Sequence, residues 1–348
     1  MEPGRVSNAA ISLIMGDNSL LHYALSFLEF REAAASATVA KSWNAFAPER
    51  VIVKDEYEWE QKFTDARIKV CADLGKWRRL KHLAISNCRA MTEVALEYFG
   101  TNICTLSIRA FALKDDHFQH ISRMSKLESL TLKGINVPKN ALQPLRGMQI
   151  HTLALDYISI SDTDLEPLEG MPLLSFRLIS LHMYMKGSGF RHLANAPIET
   201  LICRYDSYIH SFEGLPYLQK MPLKHFVLCN QGINDDNLNF LRGRPLRHLD
   251  LSLNKITSIG LKNLIGMHLM HLNLKNTLSC DEAIPYLIDM PLSHLNLSST
   301  KVTAVGLNIL GDAHLRGMRL RFLGLNRLKL TDKCMAPLKK MKTLVKIT

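Results

Sequence analysis

A large apolar residue returns at a nearly constant interval through most of this chain: Leu83, Leu106, Leu130, Leu153, Phe176, Leu201, Phe226, Leu249, Leu272, Leu295, Leu323 and Ile347. The intervals run from 23 to 25 residues, with one of 28 between Leu295 and Leu323. Each position opens a short alternation such as Leu249-Asp250-Leu251-Ser252, in which every second side chain is apolar. That period of two predicts a strand with one face turned inward. Ile256, Leu261 and Leu264 follow at spacings that a turn and a short helix can bury. One such unit is too small to cover its own apolar face, so successive units must stack, with their strands side by side in a parallel sheet. At about 4.8 Å per strand the sheet is expected to run roughly 50–60 Å.

The stretch Pro245-Leu246-Arg247-His248-Leu249-Asp250-Leu251-Ser252-Leu253-Asn254 resembles the leucine-rich repeat. The resemblance implies an α/β solenoid with a parallel sheet on its concave side and helices or turns on its convex side. About eleven repeats and a final strand at residues 343–347 are expected over residues 81–348. A methionine closes most units (Met124, Met148, Met171, Met221, Met267, Met290, Met318, Met341) and reads as internal packing. Pro172, Pro222, Pro245 and Pro291 precede strands, where a missing backbone donor is tolerated. Residues 180–220 are less regular. Lys186-Gly187-Ser188-Gly189 and Tyr205-Asp206-Ser207-Tyr208 interrupt the pattern, and a binding loop or a worn repeat would each do so. The 28-residue unit is expected to spend its surplus, Gly311 to Met318, on a loop.

Ahead of the repeats the chain divides into three. Residues 1–15 read as a loose arm and residues 16–48 as a bundle of short helices. Residues 49–80 read as a cap on the first repeat, with Val51-Ile52-Val53 a strand, Tyr57 to Leu74 a helix, and Trp59, Phe63 and Trp77 turned inward. Within the bundle, Leu25-Ser26-Phe27-Leu28, then Arg31-Glu32, then Val39-Ala40-Lys41-Ser42-Trp43 resemble an F-box. That resemblance implies docking to a Skp-family adaptor, and through it to a cullin–RING ubiquitin ligase, with the repeats selecting the substrate. The positions that match are Leu20, Leu21, Leu25, Phe27, Leu28, Val39 and Trp43. The family opens on Leu-Pro, whereas this chain has Gly16-Asp17 at that place. A bundle kept as a cap is the alternative, and the chain would then be a scaffold in a larger complex, one containing RNA among the options.

Charge is unevenly spread. Residues 1–221 carry 25 Lys+Arg against 24 Asp+Glu, and residues 222–348 carry 18 against 8, so nearly all of the +11 lies in the last third. A basic end attracts acidic partners or nucleic acid. No aromatic residues alternate with these cations to stack bases, which makes nucleic acid the lesser candidate. The seven cysteines show no CxxC pair, which fits a reducing compartment. No apolar run is long enough for a membrane span, so a cytoplasmic or nuclear protein is expected. No phosphate loop, nucleophile motif or metal-spaced Cys/His set appears. The reading is of a chain without catalysis, cofactor or metal.

The candidate partner surface is the concave face of the regular repeats. His225, His248, His271 and His294 fall in one slot, just before the inward leucine. Asp250, Asn273 and Asn296 fall two residues further on, and Lys275 beyond them. The same slots in earlier repeats hold small residues such as Ala84, Ser107, Thr131 and Ala154. A polar strip on a rigid sheet suits specific recognition of a protein.

Overall fold

The computed structural model describes residues 49–53, 64–73, 75–86, 92, 94–109, 115–134, 137–180, 185–205, 212–328, 330 and 336–348. They fall into two compact units, Met1–Ile150 and His151–Thr348. The division lies inside the stretch that the period assigns to a single solenoid.

In the first unit four parallel strands follow one another in chain order: β1 (Arg50–Val53), β2 (His82–Ser86), β3 (Thr105–Arg109) and β4 (Ser129–Lys133). Leu83, Leu106 and Leu130 pair directly across β2, β3 and β4, as the period requires. The helix expected over Tyr57 to Leu74 is present as α1 (Asp65–Asp73), while Trp59 and Phe63 lie outside the described residues. Trp77 is buried as expected, donating from Nε1 to the Ile68 carbonyl at 3.2 Å and packing on Phe99. The connections further along are α2 (Ala95–Tyr98), α3 (Asp115–Ser122) and a 3-10 turn at Gln143–Leu145.

The second unit has nine parallel strands. They are β5 (Thr152–Asp156), β6 (Ser175–Ser180), β7 (Thr200–Tyr205), β8 (His225–Cys229), β9 (His248–Asp250), β10 (His271–Asn273), β11 (His294–Asn296), β12 (Phe322–Gly324) and β13 (Lys346–Ile347). One unbroken register joins Leu153, Phe176, Leu201, Phe226, Leu249, Leu272, Leu295, Leu323 and Ile347. All but Ile347 are buried, which makes this row the spine of the core. The six unit-closing methionines of this unit, Met171, Met221, Met267, Met290, Met318 and Met341, are buried; in the first unit Met124 is buried and Met148 half-exposed. Return segments are mostly 3-10 turns, many with proline inside or at the start, since a ring at that place removes an α-helical hydrogen bond. The surplus of the long repeat does not make a loop. It prolongs α5 (Ala304–Asp312; α4 is Ser258–Leu261) into a 3-10 turn at Ala313–Arg316.

On the helical side, an aspartate of one repeat clamps the start of the next. Asp235 accepts from the Thr257 N–H at 2.8 Å and from its hydroxyl at 2.5 Å, and Asp281 holds Thr303 in the same way. Each threonine also caps its own helix, accepting from Ile259 N–H or Val305 N–H. The clamp explains a glycine three residues on: a Cβ at Gly260 would lie 2.3 Å from Asp235 Oδ1, and one at Gly306 would lie 2.5 Å from Asp281 Oδ1. Gly260→Ala is therefore expected to destabilise by about 1–3 kcal/mol through overpacking against a carboxylate that cannot retreat. Urea unfolding measures it; an unchanged midpoint would mean the clamp is slack.

Candidate partner-binding face

One face of the strands of the second unit is turned away from the core, and its side chains fall into columns because the register never slips. The first column reads His225, His248, His271, His294, Phe322 and Lys346 across β8 to β13. The four imidazoles stack. Ring centroids are 3.9, 5.3 and 4.1 Å apart, with interplanar angles of 15°, 21° and 11°, and Phe322 continues the stack at 6.0 Å from His294. The histidines are half-buried, so ring faces are spent on one another and ring edges point outward.

Protonating such a stack brings like charges together in a partly dry site. Burial lowers the proton affinity of His248, and the neighbouring His225 and His271 lower it further; Asp250 opposes, and the pKa comes to about 4. Burial also lowers His225 and His271, with Asp250 opposing at the former and His294 adding at the latter.

The second column shows why β9, β10 and β11 are only three residues long. Asp250 Oδ1 accepts from the Ser252 N–H at 2.9 Å, Asn273 Oδ1 from Lys275 at 3.1 Å and Asn296 Oδ1 from Ser298 at 3.0 Å. A side-chain acceptor thus takes the donor that the next backbone rung would use. Behind it sits Asn254, buried, which accepts from Gln231 N–H and Ile233 N–H and donates to three carbonyls, those of Leu228, Leu251 and Ser252. Thr277 and Thr300 hold the equivalent slot in the following repeats with one carbonyl each.

The structure brings His225, His248, His271, His294, Asn273, Asn296 and Lys275 together on this face. Asp250 is different. It is 4% exposed, with Oδ1 also accepting from the Ser252 hydroxyl at 2.6 Å and Oδ2 held by Arg204 at 3.5 Å. Its charge is consumed within the sheet, so it supports the surface and does not present itself. The small slots expected in earlier repeats are Ala84, Ser107 and Thr131 on β2–β4 and Ala154 on β5, and the strands that follow, β6 and β7, carry Arg177 and Arg204. Arg177 pairs with the buried Asp156 at 2.5 Å, and Arg204 reaches over β8 to Asp250 on β9. Their slots were readable from the period. The reach of a long side chain past the intervening strand was not.

The adaptor-docking positions Leu20, Leu21, Leu25, Phe27, Leu28, Val39 and Trp43 lie outside the described residues. Gly187 and Gly189 of the irregular stretch donate their backbone N–H groups to Asp162, so this part of it is tied to the preceding repeat. Among the described residues no cluster of three or more His, Cys, Asp or Glu is placed to hold a metal ion, and no helix is long and apolar enough to cross a membrane.

Comparison with known proteins agrees with this architecture. A family model described as Leucine Rich repeat matches residues 244–264, the repeat built around β9. Comparison with curated protein sequences gives no match. Among solved structures, an internalin of Listeria monocytogenes is similar at TM-score 0.52 and 16% identity, over 79% of this chain and 76% of that one. A leucine-rich-repeat protein of Leptospira interrogans is similar at TM-score 0.48 and 15% identity, over 80% of each chain. The Drosophila Toll–Spätzle complex contains a chain similar at TM-score 0.47 and 14% identity, over 89% of this chain and 43% of that one. The internalin likeness identifies a shared leucine-rich-repeat fold.

Proposed function

We propose that this chain is a protein-interaction subunit that holds a protein partner on the open face of β8–β11, and that residues 16–48 join it to a Skp-family adaptor and cullin as the substrate receptor of a ubiquitin ligase. The observation that carries the first half is the unbroken register. It fixes ring edges, amides and an ammonium in columns on a sheet whose backbone is already satisfied, a rigid polar surface ready for a specific partner. The second half rests on the F-box resemblance of Leu25-Ser26-Phe27-Leu28 and Val39-Ala40-Lys41-Ser42-Trp43. An α/β repeat stack with no motif for covalent chemistry suits a receptor whose ligase partners supply the reaction.

Affinity capture from the native cell, read by mass spectrometry, tests both halves. Leu25→Asp with Leu28→Asp is expected to lose adaptor and cullin while keeping the solenoid's partner. His271→Ala with Asn273→Ala is expected to do the reverse. Wild type that recovers no adaptor or cullin would reduce the N-terminal bundle to a cap and the protein to a scaffold.

A further inference from the structure

Among the described residues of the last third of the chain the carboxylates are sorted away from the open face. Asp235 and Asp281 are spent in the repeat clamps; Asp236 and Glu282 sit in the first turns of return segments, and Asp289 and Asp312 lie near the ends of theirs. Asp250 alone among the described residues of β8–β13 carries a carboxylate, and it is buried and fully bonded. What the face offers outward is donors. Asn273 and Asn296 use Oδ1 internally, which turns each Nδ2 to solvent from adjacent, directly paired strands. Lys275 is exposed, with no carboxylate in ion-pair reach among the described residues. Arg321, just before β12, and Lys346, at the end of the histidine column, are exposed too.

We propose that this face takes an acidic polypeptide segment lying across β9, β10 and β11, its carboxylates accepting from Asn273 Nδ2 and Asn296 Nδ2 and pairing with the Lys275 ammonium. Charge complementarity selects the partner: a carboxylate meets donors everywhere on the strip and no like charge, whereas a basic segment finds no accessible counter-ion. A nucleic acid fits less well. The imidazole faces are occupied by one another at 3.9 and 4.1 Å, leaving no free ring face for a base to stack on between them. The proposal rests on the reading of the open face as the partner surface, and it adds the chemistry of what binds there.

The test is fluorescence anisotropy of the full chain with a labelled peptide carrying glutamate at alternate positions. The same peptide with glutamine, and a single-stranded oligothymidylate of equal charge, serve as comparisons. Saturable binding of the glutamate peptide is expected, with the glutamine peptide weaker by about tenfold or more and binding falling as salt is raised. Lys275→Glu is expected to weaken it by about tenfold, and Asn273→Ala or Asn296→Ala by roughly threefold. Lys301→Glu, outside the strip, should change it little. Each variant is first checked for a wild-type urea midpoint. Equal affinity for the glutamate and glutamine peptides, or indifference to Lys275→Glu, would overturn the proposal, and so would tighter binding of the oligonucleotide that Lys275→Glu abolishes. If the open-face variants lose the cellular partner while the glutamate peptide never binds, the surface stands and its acidic preference falls. If they keep that partner as well, both readings fall.

Discussion

Asn254→Ala is expected to destabilise the second unit by about 3–5 kcal/mol, because two buried backbone donors lose their acceptor and three carbonyls lose a donor at once, of which that of Ser252 keeps another in the Asn230 N–H at 3.0 Å. The donors are Gln231 N–H and Ile233 N–H, at 2.9 and 3.1 Å from Oδ1; the carbonyls are those of Leu228, Leu251 and Ser252, at 2.6, 2.9 and 3.1 Å from Nδ2. Water has no easy access, since Asn254 is 4% exposed. Thr277→Ala and Thr300→Ala each remove one hydroxyl bond from a carbonyl, that of Leu274 or Leu297, that keeps the backbone N–H of the substituted residue at 3.2 Å, and should cost about 1 kcal/mol or less. Asn254→Asp should cost more than either threonine variant, because a carboxylate would face three carbonyl oxygens. Urea unfolding gives the ranking, and amide exchange gives the location. Protection should fall first around β8 and β9, because each repeat of a stack depends on its neighbours. Equal midpoints for the three alanine variants would remove Asn254 from this role.

That asparagine also marks how far the sequence could be read. The period placed every inward residue from Leu83 to Ile347, and within each unit the pairing register is the one it demands. Periodicity was legible because a one-residue slip would turn a whole strand inside out. The return segments were less legible. Ile256, Leu261 and Leu264 satisfy an α-helix and a 3-10 turn equally at such short length, and proline then decides for the tighter turn in several repeats. The long repeat has no proline from Ala304 to Arg316 and a threonine cap at Thr303, so its surplus residues enter the helix instead of a loop.

The candidate face was legible as columns and not as bonds. Four histidines in one slot had to become neighbours once the register held. Whether a polar side chain in the next slot faces a partner or its own backbone depends on contacts that spacing does not encode. Asp250, Asn273 and Asn296 occupy the same slot and make the same bond two residues on, yet Asp250 is withdrawn by Ser252 and by an arginine that starts two strands away. Arg204 belongs to an irregular 25-residue interval whose residues 206–211, where the sequence suggests a loop or a worn repeat, lie outside the described residues; its long side chain bridges repeats.

Acid is expected to loosen the second unit through the histidine stack. Burial first, and then the charges of His225 and His271, hold the His248 pKa at about 4, against an ordinary value near 6.5 in the unfolded chain. The unfolded state therefore binds the extra proton throughout that window, and stability rises with pH there. Its contribution is complete above about pH 6.5 and is lost as pH falls through about 4, amounting to at most about 3 kcal/mol for His248 alone. His225 and His271, lowered chiefly by burial, add in the same direction. Asp250 and Arg204 reach His225 and His248 with opposite signs, so neither cancels the effect of burial. His248→Asn keeps a polar side chain in the column and removes the titration. Its urea midpoint should fall less steeply between pH 6.5 and 4 than that of wild type. Parallel pH profiles for wild type and His248→Asn would show that the stack accepts protons without strain. The face would then offer a partner a column of cations in mild acid, where the geometry calls for neutral rings.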